Sequence, residues 1–411
     1  MRYIIKAPEK LYSEIRLPAS KSISNRALII QALTKSKIRP DNLSDCDDTE
    51  VIISALDNMP EVIDIKAAGT AMRFMTAYLS ATEGEHTITG TERMKNRPIG
   101  ILVDALRLLG ADIEYLEKEG YPPLHIRGAE LEGGFLSIPG NISSQYISAL
   151  LIIGPILRKG LELRLTGNII SRPYIDLTLH VMHEFGNKVE WTGVDTITVP
   201  PQQYQECAYT IENDWSAASY WYEMLALSDD TESRIILPGL KDASRQGDSV
   251  VRYLFSILGV KTQIDNNTAT LTRHMRTLPR FDYDFINQPD LAQTLVVTCC
   301  VLDIPFHFKG LATLKIKETD RIEALKTELK KFGYVIQDIN GEELVWNGEK
   351  CEGQANPVID TYEDHRMAMS FAPLAIKLGS ICINNPEVVT KSYPHYWDDL
   401  RSAGFEIIQA D

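Results

Sequence analysis

Residues 101–115 read ILVDALRLLGADIEY: an amphipathic helical pattern, a glycine, then a short β-prone run. Four later stretches follow the same plan: LTLHVMHEFGNKVEW (177–191), VRYLFSILGVKTQI (251–264), IEALKTELKKFGYVIQ (322–337) and WDDLRSAGFEII (397–408). Their glycines, Gly110, Gly186, Gly259, Gly333 and Gly404, are spaced by 76, 73, 74 and 71 residues. A glycine just past a helix end takes the left-handed position cheaply. Five at near-equal intervals mark a repeated unit.

A second kind of helix interleaves with the first. It starts polar and continues almost wholly apolar: SNRALIIQAL (24–33), GTAMRFMTAYL (69–79), SSQYISALLIIGPIL (143–157), DWSAASYWYEMLAL (214–227), PDLAQTLVVTCCVL (289–302) and DHRMAMSFAPLAI (364–376). Helices apolar on all sides belong inside a protein. Between the helices lie β-branched runs that read as strands: EVIDIKA, LHIRGAEL, LELRLTG, TITVP, SRIILPG, ATLTR and SICINN. Six buried-type helices predict six α/β units in two halves of three. The first unit is abbreviated, with DTEVIISALDNM as its only amphipathic helix, and the halves join within VPPQQYQECAYTIEND (199–214), where the strand pattern continues to Ile211.

The 411 residues suit two domains of ordinary size, and 44% hydrophobic with 24% charged residues fits a soluble globular chain. Lys+Arg 42 against Asp+Glu 56 leaves a net charge of −14, which argues against general nucleic-acid or anionic-membrane binding. The six cysteines form no CxxC pair, and Cys299–Cys300 sits in the apolar run LVVTCCVL, so reduced, buried thiols and a cytoplasmic location are expected. MRYIIKAPEK lacks the apolar core of a signal peptide, and no run of about 18 apolar residues is present to span a bilayer.

An acidic chain can still bind small anions if its cations gather at one place. Helix N-termini favour anions, and here they are furnished with more. The buried helices open with Lys21/Ser22/Arg26, Gly69/Thr70/Arg73, Ser143/Ser144/Gln145, Asp214, Asp290 and Asp364/His365/Arg366. The amphipathic helices are entered through Arg97, through Ser171/Arg172/Tyr174, through Lys317/Glu318/Arg321 and near Lys391. Stacking the units alike would bring these mouths to one face. His180 and His183 beside Glu184 lack a third metal ligand, and neither a Walker-type phosphate loop nor G-x-G-x-x-G occurs.

Eleven strings in register carry a resemblance: LPASKSISNRAL, AAGTAMR, RMKNRPIG, SSQYISALL, SRPYID, SAASYW, QGD, QPDLAQT, KETDRIEAL, EDHRMAM and TKSYP, from Leu17 to Pro394. The chain resembles the 5-enolpyruvylshikimate-3-phosphate synthases of the enolpyruvyl transferase family. The resemblance implies an α/β, two-domain fold, each domain three repeated βαβαββ-type units with buried helices (an inside-out α/β barrel). The implied domains are 21–210 and 1–20 plus 211–411, with the active site in the cleft between them.

The implied reaction moves the enolpyruvyl group of phosphoenolpyruvate to the 5-hydroxyl of shikimate 3-phosphate and releases phosphate. By match of motif, Lys21, Gly69, Arg97, Gln145, Arg321, Arg366 and Lys391 hold phosphoenolpyruvate. Lys21, Ser22, Arg26, Ser143, Ser144, Gln145, Ser171, Tyr174, Asp290 and Lys317 hold shikimate 3-phosphate. Asp290, Glu318 and Lys21 are the implied catalytic groups. No metal or organic cofactor is called for, and the implied partners are the two small anions alone, with no nucleic acid, no membrane and a monomeric chain. The pattern departs from the family at Ala19, Ala67, Phe74, Arg172 and Thr313, all neutral contacts except the Arg172 exchange. The rival readings are a transferase acting on UDP-N-acetylglucosamine and an anion-binding relative without turnover.

Overall fold

The computed structural model describes residues 1–410. The chain forms two compact units: Ala19–Ile211, and Met1–Pro18 together with the chain from Glu212 onward. Each has its own hydrophobic core.

In the first unit the buried helices are Lys21–Thr34, Gly69–Ser80 and Ser144–Ile153, and they pack on one another. In the second they are Trp215–Leu227, Ala292–Val301 and His365–Phe371. Every residue of Trp215–Leu227 is buried except Ser216, and all of His365–Phe371 is buried. This is what apolar residues on all sides require. Each β-branched run read from the sequence forms a strand.

All five sheets share one plan, shown by Val62–Asp64, Gly84–Thr89, Leu124–Gly128 and Asp112–Tyr115, in that spatial order. The first two strands are parallel and the rest antiparallel. A parallel pair needs a long crossover, and the buried helix Gly69–Ser80 supplies it. The amphipathic helix Gly100–Leu108 then leads into the hairpin. In Leu161–Thr166 burial alternates residue by residue, one face on the core and one outward.

All five repeat glycines have positive φ, from 80° at Gly186 to 107° at Gly110. At four of them the following N–H returns to the carbonyl five residues back, as Ala111 does to Leu106 at 3.0 Å and Asn187 to Met182 at 3.0 Å. These helices therefore end in the same C-terminal motif.

The first repeat departs from the six-unit expectation. Its helix Asp47–Asn58 forms, but among the described residues no four-stranded sheet accompanies it, and Asp41 makes an isolated bridge to Thr210. The alternation expected to run as a strand to Ile211 yields that single bridge, because no neighbouring strand is there to extend it. The N-terminus supplies two strands to the other unit. Arg2–Lys6 lies between Ser380–Asn384 and Glu406–Ala410, and Tyr12–Glu14 pairs in parallel with Arg234–Pro238.

Candidate active site

The polar helix mouths gather into one cluster of side chains in each unit. In Ala19–Ile211, Lys21 begins a buried helix and donates to Asp48 at 3.2 Å. One turn on, Arg26 is 3% exposed. It donates to the Ser22 carbonyl at 2.8 Å, the Thr178 hydroxyl at 2.7 Å, the Ser148 hydroxyl at 3.1 Å and the Tyr174 carbonyl at 3.2 Å. These bonds tie the Lys21 helix to the Ser144 helix and to Arg172–Glu184. Burial lowers the Arg26 guanidinium to about 10, with Tyr174 opposing more weakly. Among the described residues no carboxylate pairs with it.

The Ser144 helix is capped by the Ser143 hydroxyl, which accepts from the Gln145 N–H at 3.3 Å. The Gln145 amide donates to Thr70 at 3.1 Å, linking this helix mouth to that of Gly69–Ser80. Arg97 lies flat on Gly69: a Cβ there would fall 2.6 Å from its Nη1 and 2.9 Å from its Cζ. Arg73 fixes the same corner, donating to the carbonyls of Gly69 and Pro98, both at 3.0 Å. Arg97 also makes no ion pair among the described residues. Ser171 is buried with φ 52°, a left-handed conformation unusual for serine, at the cap of the helix that carries Tyr174. Contacts thus link the helices that carry the predicted residues of this unit: Arg26 to Ser148 and Tyr174, Gln145 to Thr70, and Arg97 to Gly69.

The cluster in the other unit is an ion network. Arg321, 1% exposed, donates to Asp364 at 2.6 Å, Glu318 at 2.8 Å and Asp290 at 3.1 Å. Asp290 also faces Arg366 at 3.2 Å and Lys317 at 3.7 Å, and Lys391 stands 3.9 Å from Glu318. Burial alone would push the Asp290 carboxyl up, but Arg366, Lys317 and Arg321 together outweigh it and hold it well below the usual carboxylate range. Burial likewise works against charge on Arg321, and Asp364, Glu318 and Asp290 overcome it. Asp290, Lys317, Glu318, Arg321, Arg366 and Lys391 are all brought together here.

Sequence reading assigned no role to three buried carboxylates within these clusters. Asp48 faces Lys21, Asp364 clamps Arg321, and Asp248 lies buried near Asp290. Asp248 is raised to about 6, first by burial and then by the charge of Asp290, and accepts from the Ser216 hydroxyl. The QGD string was its one sequence signal. His180 stands 3.8 Å from Glu184, and His183 bonds to the Val189 carbonyl.

A family model described as EPSP synthase (3-phosphoshikimate 1-carboxyvinyltransferase) matches residues 5–63 and 58–400. The chain belongs to the EPSP synthase family. It is 60% identical over 407 residues to the 3-phosphoshikimate 1-carboxyvinyltransferase of Bacteroides fragilis, with 99% of each chain covered. The protein of that name from Photobacterium profundum is 35% identical over 95% of this chain and 96% of its own. An EPSP synthase structure from Acinetobacter baumannii has the same fold, with a TM-score of 0.76 at 21% identity, covering 99% of this chain and 100% of that one.

Two departures from the EPSP synthase pattern have a physical consequence here. Phe74, where proline is common, is buried 5.5 Å from the Arg26 guanidinium and gives that cation an aromatic face. Arg172, in place of lysine, stacks on Trp191 at 3.9 Å. The glycine at 69 is fixed by contact. Gly69→Ala is expected to displace Arg97 and lower kcat/KM for phosphoenolpyruvate about a hundredfold, the scale of an ångström-sized misplacement. Steady-state kinetics with an unchanged circular dichroism spectrum would bear this out.

Proposed function

We propose that this chain transfers the enolpyruvyl group of phosphoenolpyruvate to the 5-hydroxyl of shikimate 3-phosphate and releases phosphate. The observation that carries the proposal is the network in which Asp290 and Glu318 share Arg321 and are ringed by Lys317, Arg366 and Lys391. It offers seats for anions and carboxylates for proton transfer in one place. Lys21, Gly69, Arg97, Gln145, Arg321, Arg366 and Lys391 take phosphoenolpyruvate. Lys21, Ser22, Arg26, Ser143, Ser144, Gln145, Ser171, Tyr174, Asp290 and Lys317 take shikimate 3-phosphate. Arg26 and Arg97, buried or partly buried and without carboxylate partners among the described residues, are the cations with most to gain from an incoming anion.

The reaction is an addition followed by an elimination. The 5-hydroxyl oxygen attacks C2 of phosphoenolpyruvate while C3 gains a proton, giving a tetrahedral intermediate. C3 then loses a proton as the bond from C2 to the phosphate oxygen breaks. Glu318 gives and recovers the C3 proton, Asp290 orients the hydroxyl and takes its proton, and Lys21 offsets developing charge. The scheme needs no cofactor.

In the free chain Asp290 is a weak base, because three cations hold it ionised. Phosphoenolpyruvate gives Arg321 and Arg366 another anion to face, which loosens that hold and raises the basicity of Asp290. Protonating Asp290 switches the base off, so the rate falls as pH falls through its pKa. The acid limb of kcat/KM, which reports the free chain, is expected well below the usual carboxylate range, and that of kcat at higher pH. A kcat limb at or below the kcat/KM limb would contradict this ordering.

No observation favours the UDP-sugar transferase: Cys46 is buried against Thr49, and Cys207 is partly buried. A cytoplasmic monomer accompanies the proposal. The core position of the Cys299 and Cys300 thiols supports a reducing compartment, and the family resemblance supports the monomer. No helix among the described residues is long and apolar enough to cross a membrane. A coupled phosphate-release assay with both substrates tests the proposal.

A further inference from the structure

The Arg321–Lys331 helix grips the segment before Asp364 at two points. Arg321 holds Asp364 itself, Nε to Oδ2 at 2.6 Å. Glu328 lies seven residues on, two turns along the same face. Its side chain is fully buried, and both of its oxygens are used. One accepts the Tyr362 hydroxyl at 2.6 Å; the other accepts the Asp360 N–H at 3.1 Å and the Lys331 ammonium at 2.8 Å. Lys331 in turn reaches the Val358 carbonyl at 2.8 Å and the Asp360 carboxylate at 3.0 Å.

What they hold is strained. The Asp364 N–H bonds to the Thr361 carbonyl at 2.8 Å, closing a turn whose central residues Tyr362 and Glu363 have φ of 53° and 56°. Positive φ at both central positions suits glycine, asparagine or aspartate, not tyrosine and glutamate. The turn delivers Asp364, which accepts from Arg321 and from the Arg366 N–H at 2.9 Å, and then Arg366, which faces Asp290. A turn disfavoured by its own residues and followed directly by site residues needs an external hold.

We propose that Glu328 is a positioning residue for the transfer reaction. It clamps the left-handed Thr361–Asp364 turn to the helix that carries Arg321, and so sets Asp364 and Arg366 against Arg321 and Asp290. The inference rests on the assignment of Arg321 and Arg366 to phosphoenolpyruvate. A merely structural Glu328–Lys331 ion pair would not link the defect to the turn.

The test uses the full chain as Glu328→Gln, as Tyr362→Phe, which removes one hydroxyl from an exposed ring, and as Glu328→Gln with Glu363→Asn. Kinetics for both substrates are paired with hydrogen exchange at the amides of Asp360 and Asp364. Tyr362→Phe is expected to lower kcat/KM for phosphoenolpyruvate about fivefold and Glu328→Gln about twentyfold, with KM for shikimate 3-phosphate within about twofold of wild type. Exchange at both amides should speed up. Asparagine tolerates the left-handed conformation, so adding Glu363→Asn should slow the Asp364 exchange again and restore most of the lost activity, while Glu363→Asn alone leaves activity unchanged. Wild-type kinetics and exchange in both single variants, or no recovery in the double variant, would overturn the clamp. If the unaltered chain released no phosphate, the functional reading would fail, and the exchange measurements would still decide whether Glu328 holds the turn.

Discussion

Arg97→Ala is expected to lower turnover about a thousandfold while leaving the unfolding midpoint nearly unchanged. The guanidinium rests on the bare Cα of Gly69 and forms no ion pair among the described residues, so its removal strands no carboxylate. What disappears is charge and a planar fork aimed at a phosphate or carboxylate. Arg97→Lys should recover only about tenfold, since an ammonium restores charge without the fork. Lys21→Ala should cripple turnover as well, but with some loss of stability, because it also takes away the cation facing Asp48 at 3.2 Å. Chemical unfolding alongside kinetics separates the two. Extensive unfolding of Arg97→Ala would show that its role is to hold the unit together.

Asp290→Asn is expected to cost turnover between about a thousandfold and ten-thousandfold, the upper range for loss of a positioned acid–base group. Asparagine keeps an oxygen for Arg321 but cannot take the hydroxyl proton, so substrate KM values should move far less than kcat. The stability effect has a definite sign. The folded-state pKa of Asp290 is depressed, so its contribution is present above the usual carboxylate pKa and disappears as pH falls through the folded value. The variant should therefore be less stable than wild type by about 1–3 kcal/mol near neutrality, and the gap should close in acid. A gap that widens in acid would mean that the three cations do not hold Asp290 ionised.

The repeat was legible because it is written in local chemistry. Gly110, Gly186, Gly259, Gly333 and Gly404 each end a helix with positive φ, and that demand appears in the sequence as a period. The buried helices were equally plain, since apolar residues on every side have nowhere else to go. Tyr12–Glu14 left no such mark: three residues carry too little alternation, and their partner Arg234–Pro238 is more than two hundred positions away. The missing sheet of the first repeat had its sign in the shortness of that unit.

The cations of the site were legible at the helix mouths, and the carboxylates that set their strength were less so. Asp48 looks like an ordinary surface charge in sequence, and the helix opening at Asp364 and the QGD string around Asp248 do not say what those carboxylates face; packing buries all three. Glu328 was hidden for a similar reason, since nothing in KTELKK shows that one glutamate faces a left-handed turn. The two clusters also differ in a way that composition conceals. Among the described residues Arg26 and Arg97 pair with no carboxylate, whereas Arg321 faces Asp290, Glu318 and Asp364 and Arg366 faces Asp290. In the first unit these two arginines stand apart from acidic groups, and in the second the arginines are coupled to carboxylates.

Phosphate release measured with phosphoenolpyruvate and each acceptor in turn is the most direct test of enolpyruvyl transfer by this chain. Stoichiometric release with shikimate 3-phosphate, and none with UDP-N-acetylglucosamine, is the expected result. Release only with the UDP-sugar, or with neither acceptor, would contradict it.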